Sequence, residues 1–362
     1  MRLGLLLYGS LDLLSGGFLY DRILVDYLRS RGDEVEVISL PWRSYPVSLL
    51  DNFSGALLRR LRQAPLDLLL QDELAHPSLF WLNRRLKSAP PYPIISLVLH
   101  LRSCETHPPG KQHLYRWVEQ KYLDSVDGFI YISHAIRREV ERLAGDGRPW
   151  VVAHPGGDRL PGSTTPDDIS RRALQSGPLE IVAVANLIPR KGLHILIAAL
   201  ARLPRGQWRL RVAGSLTDDP AYVRSLRQQI TELGLDGPVM LLGPRSAADL
   251  SSLLAQSQVL AVPSFYEALG IVYLEGMRAG LPAIASTSGG AQEVITHGRD
   301  GFLVPPGNVP ALADCLHLLL TDRQRLLAMS LAARRRAGTH PTWGETVARI
   351  HRFLHEFPGL KP

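Results

Sequence analysis

The sequence predicts an α/β fold of two doubly wound, Rossmann-like domains that face each other across a deep cleft. Three observations support this prediction. Short apolar runs alternate with amphipathic helical stretches, as is typical of parallel strands joined by crossover helices. The alternation stops over residues 155–178, where Gly, Pro, Ser, Thr and Asp cluster, and then begins again. A chain of 362 residues also has the length of about two domains.

The first domain is predicted to cover residues 1–160, with strands and helices in strict alternation. Its strands are expected at residues 3–8, 34–39, 66–71, 94–99, 128–132 and 151–154. Its helices are expected at residues 18–30, 50–62, 77–86, 114–125 and 135–143. Residues 155–178 are then expected to form a linker and domain boundary without regular structure.

The second domain is predicted to cover residues 165–342 and to repeat the same pattern. Its strands are expected at residues 180–185, 209–213, 239–242, 259–262 and 282–285. Its helices are expected at residues 193–201, 221–233, 247–256 and 271–279. A last helix, residues 343–357, places Val347, Ile350 and Leu354 on one face and could pack on either domain.

The composition excludes several classes of protein. With 45% hydrophobic and 21% charged residues, the chain is neither disordered nor fibrous. No apolar run approaches the ~20 residues of a membrane span, and Gly9 and Asp12 interrupt the apolar start, which we predict to be a strand rather than a signal peptide. Two distant cysteines, Cys104 and Cys315, predict no disulfide framework and fit a cytoplasmic protein. The net charge of +7 permits phosphate-bearing or lipid partners.

The most informative motif is PSFYEALGIVYLEGMRAG at residues 263–280, which follows a buried strand and enters a helix near Gly270. Glu267 is expected in the loop and Glu275 in the helix, so that both can line one ligand. The free amides of Gly270, Ile271 and Val272 at the helix start predict a phosphate site. The alternative is a helix whose first acid offsets the macrodipole, with Glu275 as a solvated surface residue.

Two further clusters follow strand ends. Arg190 and Lys191 precede a helix in ANLIPRKG, where cations can reach a diphosphate, although a solvated charge pair is the alternative. Ser15, Gly16 and Gly17 follow the first strand, where glycine lets phosphate oxygens approach backbone amides, unless they form only a turn.

The first domain offers a second set of polar residues after its strands. His100 follows the fourth strand and is trailed by Arg102 and Glu105, so it is expected to face the cleft, with a structural hydrogen-bonding role as the alternative. Asp72 and Glu73 follow the third strand and either hold sugar hydroxyls or cap the next helix.

No metal site is expected. The premise is that the chain lacks Asp-x-Asp, His-x-x-x-His and Cys-x-x-Cys spacings, a Walker lysine loop and a Gly-x-Ser-x-Gly elbow. The vicinal acids Asp167-Asp168 and Asp218-Asp219 are expected in loops. Metal-held phosphate, P-loop chemistry and serine hydrolysis therefore have no support in these motifs.

Taken in order, the motifs resemble glycosyltransferase family 4, the retaining nucleotide-sugar transferases with the GT-B fold. The resemblance covers nearly the whole chain and is strongest over residues 181–343. It includes the Glu-x7-Glu element, the Arg-Lys-Gly turn, GGAQE at residues 289–293 and GRDGFLVP at residues 298–305. Two departures are Asn186, where the family often has arginine, and PGGD at residues 155–158, where it usually has Pro-Asn-Gly-x-Asp.

The resemblance implies a role for each motif. The second domain would bind a nucleotide diphosphate sugar as donor, with no cofactor or metal, and the last helix would cross back to the first domain. The donor-binding residues would be Gly17, Arg190, Lys191, Arg245, Gly270, Ile271, Val272 and Glu275. The catalytic residues would be Glu267, His100 and Lys191, and the acceptor residues Asp72, Glu73, Arg102 and Glu105. Transfer would retain the anomeric configuration, with the departing phosphate helping to deprotonate the acceptor.

Three functions stay open at this point. The first is a retaining glycosyltransferase acting on a glycan, lipid or small-molecule acceptor. The second is a phosphorylase or sugar-nucleotide epimerase of the same fold, and the third is a non-catalytic binding protein. Nucleic acid is not expected as a partner. The segment from Asn52 to Gln63 could also lie on the inner face of an anionic membrane, with Phe53, Leu57 and Leu61 on one side, although an ordinary crossover helix is favoured.

Overall fold

The structure is a computed structural model that describes residues 1–12, 16–87 and 92–360. Its backbone divides into two compact units. The first contains Met1–Pro155 and Trp343–Pro362, and the second contains Gly156–Thr342. Ser15, one residue of the predicted glycine turn, lies outside the described residues.

The first unit is built on a six-stranded parallel sheet with the order β2-β1-β3-β4-β5-β6. The strands are β1 Arg2–Tyr8, β2 Glu34–Leu40, β3 Leu68–Asp72, β4 Ile94–Val98, β5 Gly128–Tyr131 and β6 Trp150–Val152. Strands β3, β4 and β5 are buried along their whole length, as expected of a parallel sheet covered on both faces.

Seven helices of this unit join the strands, and short 3-10 turns occur at Leu49–Phe53, Glu73–Ala75 and Arg102–Cys104. The helices are α1 Gly16–Ser30, α2 Tyr45–Ser48, α3 Gly55–Gln63, α4 His76–Leu79, α5 Leu82–Lys87, α6 Pro109–Leu123 and α7 His134–Ala144. Two predicted helices, 50–62 and 77–86, are each broken in two. In the first, the side chain of Ser54 caps α3 by accepting from the amide of Leu57, so a new helix begins there.

The second unit has its own six-stranded parallel sheet, with the order β12-β11-β10-β7-β8-β9. The strands are β7 Leu179–Val184, β8 Trp208–Ala213, β9 Val239–Gly243, β10 Val259–Ala261, β11 Ala283–Ser286 and β12 Gly301–Val304. The helices are α8 Pro166–Leu174, α9 Leu193–Leu200, α10 Pro220–Glu232, α11 Ala247–Ala255, α12 Ile271–Arg278, α13 Ala291–Val294, α14 Val309–Thr321 and α15 Arg323–Ala337. The predicted fold class, two doubly wound Rossmann-like units, is confirmed.

The prediction of an unstructured linker over residues 155–178 is wrong in its second part, because α8 forms there. Thr165 and Asp168 form a reciprocal capping box at its start, and Pro166 occupies the first turn. Ile169 and Ala173 are buried, four residues apart on one face. Asp167 and Asp168 therefore lie in a helix rather than in a loop.

The last helix, α16 Trp343–His355, belongs to the first unit. Val347, Ile350 and Leu354, the face predicted from sequence, are buried. The Trp343 ring meets the ring of Tyr20 in α1 edge-on at 5.4 Å between centroids. In the described part of the chain, no helix combines the length and apolar character needed to span a membrane.

Candidate active site

The candidate site of the second unit lies where the strand order reverses. From β7 the chain runs outward through β8 and β9 on one side, and β10, β11 and β12 lie on the other. Loops that leave adjacent strands in opposite directions open a crevice at the carboxyl ends of such strands, which is where α/β sheets bind ligands. Lys191 follows β7 and Glu267 follows β10, so both come from this point of the sheet.

The loops after β7 and β10 are bonded to each other through their backbones. The amide of Phe265 donates to the carbonyl of Arg190 at 2.8 Å. The guanidinium of Arg190 in turn donates to the carbonyl of Tyr266 at 3.0 Å. Because both ends of Arg190 are engaged, the two loops hold a fixed relative position, which brings the neighbouring Lys191 toward Glu267.

Lys191 and Glu267 form a close ion pair. The ammonium Nζ lies 2.6 Å from Oε2 of the carboxylate, and the Ser264 hydroxyl donates to the same oxygen at 3.1 Å. Burial acts to raise the pKa of Glu267, but the charges of Lys191 and Arg190 and the two hydrogen bonds outweigh it, so this pKa lies below its usual value. Glu267 is therefore an ionised, hydrogen-bonded carboxylate with 13% of its side chain exposed.

A third loop, which follows β11, fixes the backbone of Glu267. The amide of Gly290 donates to the Glu267 carbonyl at 2.8 Å, and Glu267 forms a parallel bridge with Gly289. A Cβ atom on Gly289 would lie 2.0 Å from that carbonyl oxygen, and Gly289 has a φ of +84°. Only glycine fits this approach without moving the backbone of Glu267.

Helix α12 begins beside Glu267. Its N-cap, Gly270, has a φ of +91°, and a Cβ atom there would lie 2.3 Å from the ring of Tyr273. The amides of Gly270, Ile271 and Val272 belong to the first turn, where a helix has no internal acceptor for them and carries a partial positive charge. Lys191, Arg190 and this helix end therefore combine cationic groups suited to a phosphate.

Glu275 lies one turn further along α12 and is buried, with 3% of its side chain exposed. The alternative of a solvated surface carboxylate is wrong. Arg159 contacts its Oε1 through both Nε, at 2.9 Å, and NH2, at 2.7 Å. Burial raises the pKa of Glu275, and Arg159 opposes that effect. Among the described residues, its second oxygen, Oε2, has no hydrogen-bond partner in the protein.

Two other residues singled out from sequence lie close to this edge. Asn186, one of the two departures from the family pattern named above, donates to Asp218 at 2.7 Å and helps to hold the loop after β8. Arg245 follows β9 and is exposed beside a shallow pocket of about 240 Å³ that Leu242 and Asp249 also line.

In the first unit, His100 lies directly after β4, as expected. Its Nε2 is 2.8 Å from Oε1 of Glu105, and 19% of its side chain is exposed. The guanidinium of Arg102 lies over the rings of Tyr45 and Tyr115, at 5.3 and 4.8 Å from their centroids. Gly17 lies in the first turn of α1, which follows β1.

Asp72 and Glu73 lie in the interior of the first unit, with 1% and 0% of each residue exposed. The Asp72 carboxylate accepts from the amide of Leu74 at 3.0 Å and caps the 3-10 turn, which is the alternative role stated for it. Glu73 is close to the His76 ring, 3.0 Å from Nδ1 to Oε1, although that nitrogen is better aligned with the Glu73 carbonyl. Neither carboxylate is open to solvent, so contact of either with an acceptor stays a prediction.

Sequence reasoning missed three features of this chain. Arg159 lies in a loop without a motif. Ser264 lies inside the motif at residues 263–280, but nothing in that motif marked it as a partner of Glu267. The third was visible: His351 and His355 have the His-x-x-x-His spacing in α16. The statement that the chain lacks this spacing is wrong.

Comparison with known families decides the relationship of the chain. The profile described as "Glycosyl transferases group 1" matches residues 165–336, and that of the "Glycosyl transferase 4-like domain" matches residues 20–156. The chain belongs to glycosyltransferase family 4. The matched ranges fall in the second and the first unit, respectively.

Curated relatives of this family-4 chain include two groups of bacterial enzymes. The D-inositol 3-phosphate glycosyltransferase of Corynebacterium urealyticum is 30% identical over 68% of the chain and 60% of the relative. The GDP-mannose-dependent alpha-(1-6)-phosphatidylinositol monomannoside mannosyltransferase of Mycobacterium tuberculosis is 29% identical over 66% of the chain and 64% of the relative. The chain thus spans less than two thirds of the length of these relatives.

Solved structures show the same fold over the whole chain. Sucrose-phosphate synthase from Thermosynechococcus elongatus superposes with a TM-score of 0.83 at 21% identity, over 98% of both chains. Anabaena HepE, solved in complex with UDP-glucose, superposes with a TM-score of 0.77 at 24% identity, over 99% of this chain and 100% of that one. At these identities the likeness concerns the fold alone.

Proposed function

We propose that this family-4 chain is a retaining glycosyltransferase that transfers a sugar from a nucleotide diphosphate sugar to a hydroxyl acceptor without a metal ion. The observation that carries the proposal is the Lys191–Glu267 pair, 2.6 Å apart, beside the N-terminus of α12. It places a cation and an ionised carboxylate next to helix amides at the switch point of the sheet. This is the chemistry that a sugar diphosphate requires on its two sides.

The donor half of the proposal assigns each group by its charge. Lys191, Arg190 and the amides of Gly270, Ile271 and Val272 bind the diphosphate, because all of them present positive charge at one edge. Oε2 of Glu275 accepts from the ribose hydroxyls, since Arg159 occupies Oε1. Arg245 borders the base, and Gly17 lets a phosphate approach the start of α1. The related mannosyltransferase is named as GDP-mannose-dependent, and HepE was solved with UDP-glucose, so both bases belong in the test.

The state of Glu267 supports the retaining route. A carboxylate held by Lys191 and Ser264, with its pKa lowered, is a weak base and a weak nucleophile. We therefore propose a reaction without an enzymic base. The bond between the anomeric carbon and the diphosphate oxygen breaks, the leaving phosphate takes the acceptor proton, and the acceptor oxygen bonds to the same face of the sugar. Lys191 and Arg190 stabilise the charge that develops on the diphosphate.

We assign acceptor binding to residues of the first unit. Arg102 is exposed, and Glu105, with 28% of its side chain exposed, orients the His100 ring. These groups can hydrogen-bond sugar or inositol hydroxyls. Asp72 caps the 3-10 turn from the interior, and contact of Asp72 or Glu73 with an acceptor stays a prediction. His100 is assigned to the donor sugar near the reacting carbon.

A turnover experiment tests this function. The protein would be incubated with UDP, GDP, ADP and TDP sugars and with inositol, inositol phosphate or phospholipid acceptors, with and without a chelator. We expect one donor to be consumed, chelator to leave the rate unchanged, and NMR to show the product with the donor's anomeric configuration. An inverted product would contradict retention. Epimer formed without an acceptor, or turnover that requires inorganic phosphate, would identify an epimerase or phosphorylase instead.

A membrane-bound acceptor is favoured by an exposed apolar surface on the first unit, but not by the helix from Asn52 to Gln63 alone. In that segment Leu58 and Leu61 are buried, so the apolar side of α3 packs inward like that of an ordinary crossover helix. The exposed apolar side chains include Phe53 of this segment, and the others lie on neighbouring elements. They are Leu50, Phe53, Trp81, Leu114 and Trp117, each with 41 to 71% of the residue exposed, and we call them the aromatic face.

Contacts between these elements join the residues into one surface. Asn52, next to Phe53, accepts from the amide of Trp81 at 2.8 Å. Phe80, next to Trp81, meets the Trp117 ring edge-on at 5.6 Å. Arg84 lies 5.8 Å from the centre of the Trp81 ring, and Lys111 and Arg116 are exposed on α6, whose one acid, Glu119, is buried.

We propose that the aromatic face lies on an anionic phospholipid surface, since interfacial aromatics flanked by cations suit that environment. In flotation with vesicles of phosphatidylcholine and phosphatidylglycerol, the wild type should float and the Trp81→Ala/Trp117→Ala variant should stay in the dense fraction. Trp150→Ala, which removes an exposed tryptophan elsewhere on the same unit, serves as the control. Equal flotation of all three proteins, or of none, would contradict the proposal.

A further inference from the structure

The C-terminal helix α16 presents two histidines to one buried aspartate. His351 and His355 are one helical turn apart, with ring centroids 4.2 Å from each other. Nε2 of His351 lies 3.4 Å from Oδ2 of Asp33. Nε2 of His355 lies 3.1 Å from Oδ1 and 3.3 Å from Oδ2 of the same carboxylate. None of these three residues takes part in the proposed glycosyl transfer.

The backbone fixes Asp33 in its place. It follows the C-terminus of α1, where the amides of Arg31, Gly32 and Asp33 donate to carbonyls of the last helical turn at 3.0 to 3.1 Å. Gly32 has a φ of +89°, which allows the chain to turn back toward β2. The Asp33 side chain is 2% exposed, so its carboxylate is held rigidly and largely out of water.

The histidines are held just as firmly. Ile350 and Leu354, which precede them by one residue each, are fully buried against the first unit. The remaining side-chain exposure is 27% for His351 and 41% for His355, so a small ion can reach both rings. Ordered ligands with an open side describe a site that an ion can enter without unfolding of the helix.

The distances match a coordination sphere. One donor atom of each residue lies within 4.8 Å of the other two. In tetrahedral zinc coordination with bonds of ~2.0–2.1 Å, ligand atoms are about 3.3 Å apart. The three observed nitrogen-to-oxygen distances of 3.1 to 3.4 Å agree with that edge.

The chemistry of the donors selects the ion. Two imidazole nitrogens and one carboxylate oxygen suit Zn²⁺ and disfavour Mg²⁺ and Ca²⁺, which prefer oxygen ligands throughout. Nε2 of each histidine already faces the Asp33 carboxylate, so the rings need no reorientation to bind an ion. The Met1 amino group also donates to Oδ1 of Asp33 at 3.0 Å, which leaves Oδ2 as the better oxygen for the ion.

We propose that Asp33, His351 and His355 form a Zn²⁺ site that fastens α16 to the turn between α1 and β2. Water would complete the coordination on the exposed side. Zinc at this place is structural, because it joins a helix near the end of the chain to the body of the first unit. Its expected effect is therefore on stability and not on the chemical step of transfer.

Zinc titration of the untagged, chelator-treated full chain tests the site. Calorimetry should show saturable binding of one ion, and the melting temperature should rise with zinc concentration. His351→Ala and His355→Ala should each weaken binding at least ~10-fold, since removal of supporting groups alone has that effect. His317→Ala, which removes an exposed histidine from α14, should leave the affinity unchanged.

Two further variants keep the outcome decisive. Asp33→Asn retains a hydrogen-bond acceptor for the histidines but is a poorer zinc ligand, so it should weaken zinc binding while circular dichroism stays unchanged. Cobalt in place of zinc should give the visible absorption of a tetrahedral ion, and His351→Ala/His355→Ala should abolish it. No saturable binding below about 1 mM zinc, or equal binding by the double variant and the wild type, would overturn the proposal. Asp33 and the histidines would then form ion pairs only.

Discussion

Arg159 contacts Glu275 through two nitrogens that converge on one carboxylate oxygen, at 2.9 and 2.7 Å. The pair joins the segment before α8 to the middle of α12, and its carboxylate is almost completely buried. A buried ion pair of this kind does little for net stability, but removal of one partner leaves the other charge uncompensated. Glu275 is thereby held in place with one oxygen left for a ligand.

Replacement of Arg159 should destabilise the protein, because it leaves the buried charge of Glu275 without a partner. We expect Arg159→Ala to lower the free energy of unfolding by about 2 kcal/mol, as measured by urea denaturation. The double variant Arg159→Ala/Glu275→Gln should recover most of the loss, because it removes the unpaired charge. An equal loss in the single and the double variant would contradict this role.

The same pair makes a prediction about pH. The pKa of Glu275 in the folded protein is raised, so the protein binds that proton more tightly than the unfolded chain does. The contribution to stability is present below the ordinary glutamate pKa and is lost as pH rises through the raised one. Without Arg159 the pKa rises further, so the loss caused by Arg159→Ala should be larger at pH 8 than at pH 5. A loss independent of pH would contradict the assignment.

The close approach of Gly289 to Glu267 can be separated from its backbone conformation. Gly289 and Gly298 have similar φ values, +84° and +78°, but nothing lies within 4 Å of a Cβ on Gly298, whereas one on Gly289 would meet the Glu267 carbonyl at 2.0 Å. Gly298→Ala should cost about 1 kcal/mol, from strain alone. Gly289→Ala should cost at least ~2 kcal/mol more and should also reduce donor binding. Equal melting temperatures for the two variants would contradict the packing described around Glu267.

A second pH effect is expected from the first unit. Burial, together with the Glu73 carboxyl, raises the pKa of Glu119 to about 7. Its contribution to stability is therefore present below the ordinary glutamate pKa and is lost as pH rises through about 7. Glu119→Gln does not ionise, so its melting temperature relative to wild type should increase between pH 5 and pH 8.5. Glu356→Gln, at an exposed position, is the control, and an identical pH profile for both variants would contradict the assignment.

The fold could be predicted from the sequence because the buried parallel strands are short, continuous apolar runs. The length of these runs and the helical periodicity between them identify the elements. The position of Lys191, Glu267 and Gly270 at the carboxyl edge of the second sheet could also be predicted. Each of them follows a strand or starts a helix whose place relative to that sheet is predictable. Helix α8 was missed because only Ile169 and Ala173 mark its apolar face, and its signal is the capping box of Thr165 and Asp168.

Features that depend on three-dimensional packing were beyond sequence reasoning. Arg159 meets Glu275 across 116 positions of the chain, so no local pattern connects them. The burial of Asp72 and Glu73 depends on how β1, β4 and α4 pack around the turn that follows β3, which spacing along the sequence does not reveal. The contact of Asp33 with the two histidines likewise forms only because α16 packs on the first unit, far from Asp33 in sequence.

Binding of a nucleotide diphosphate by the second unit is the central claim, and calorimetry tests it most directly. UDP, GDP, ADP and TDP would be titrated into the wild type, into Lys191→Ala and into Arg227→Ala, which removes an exposed cation of α10. We expect one nucleotide to bind in a 1:1 ratio. Lys191→Ala should weaken this binding about 10- to 150-fold through loss of a charged hydrogen bond, and Arg227→Ala should have no effect. Binding that Lys191→Ala leaves unchanged, or no binding of any of the four, would contradict it.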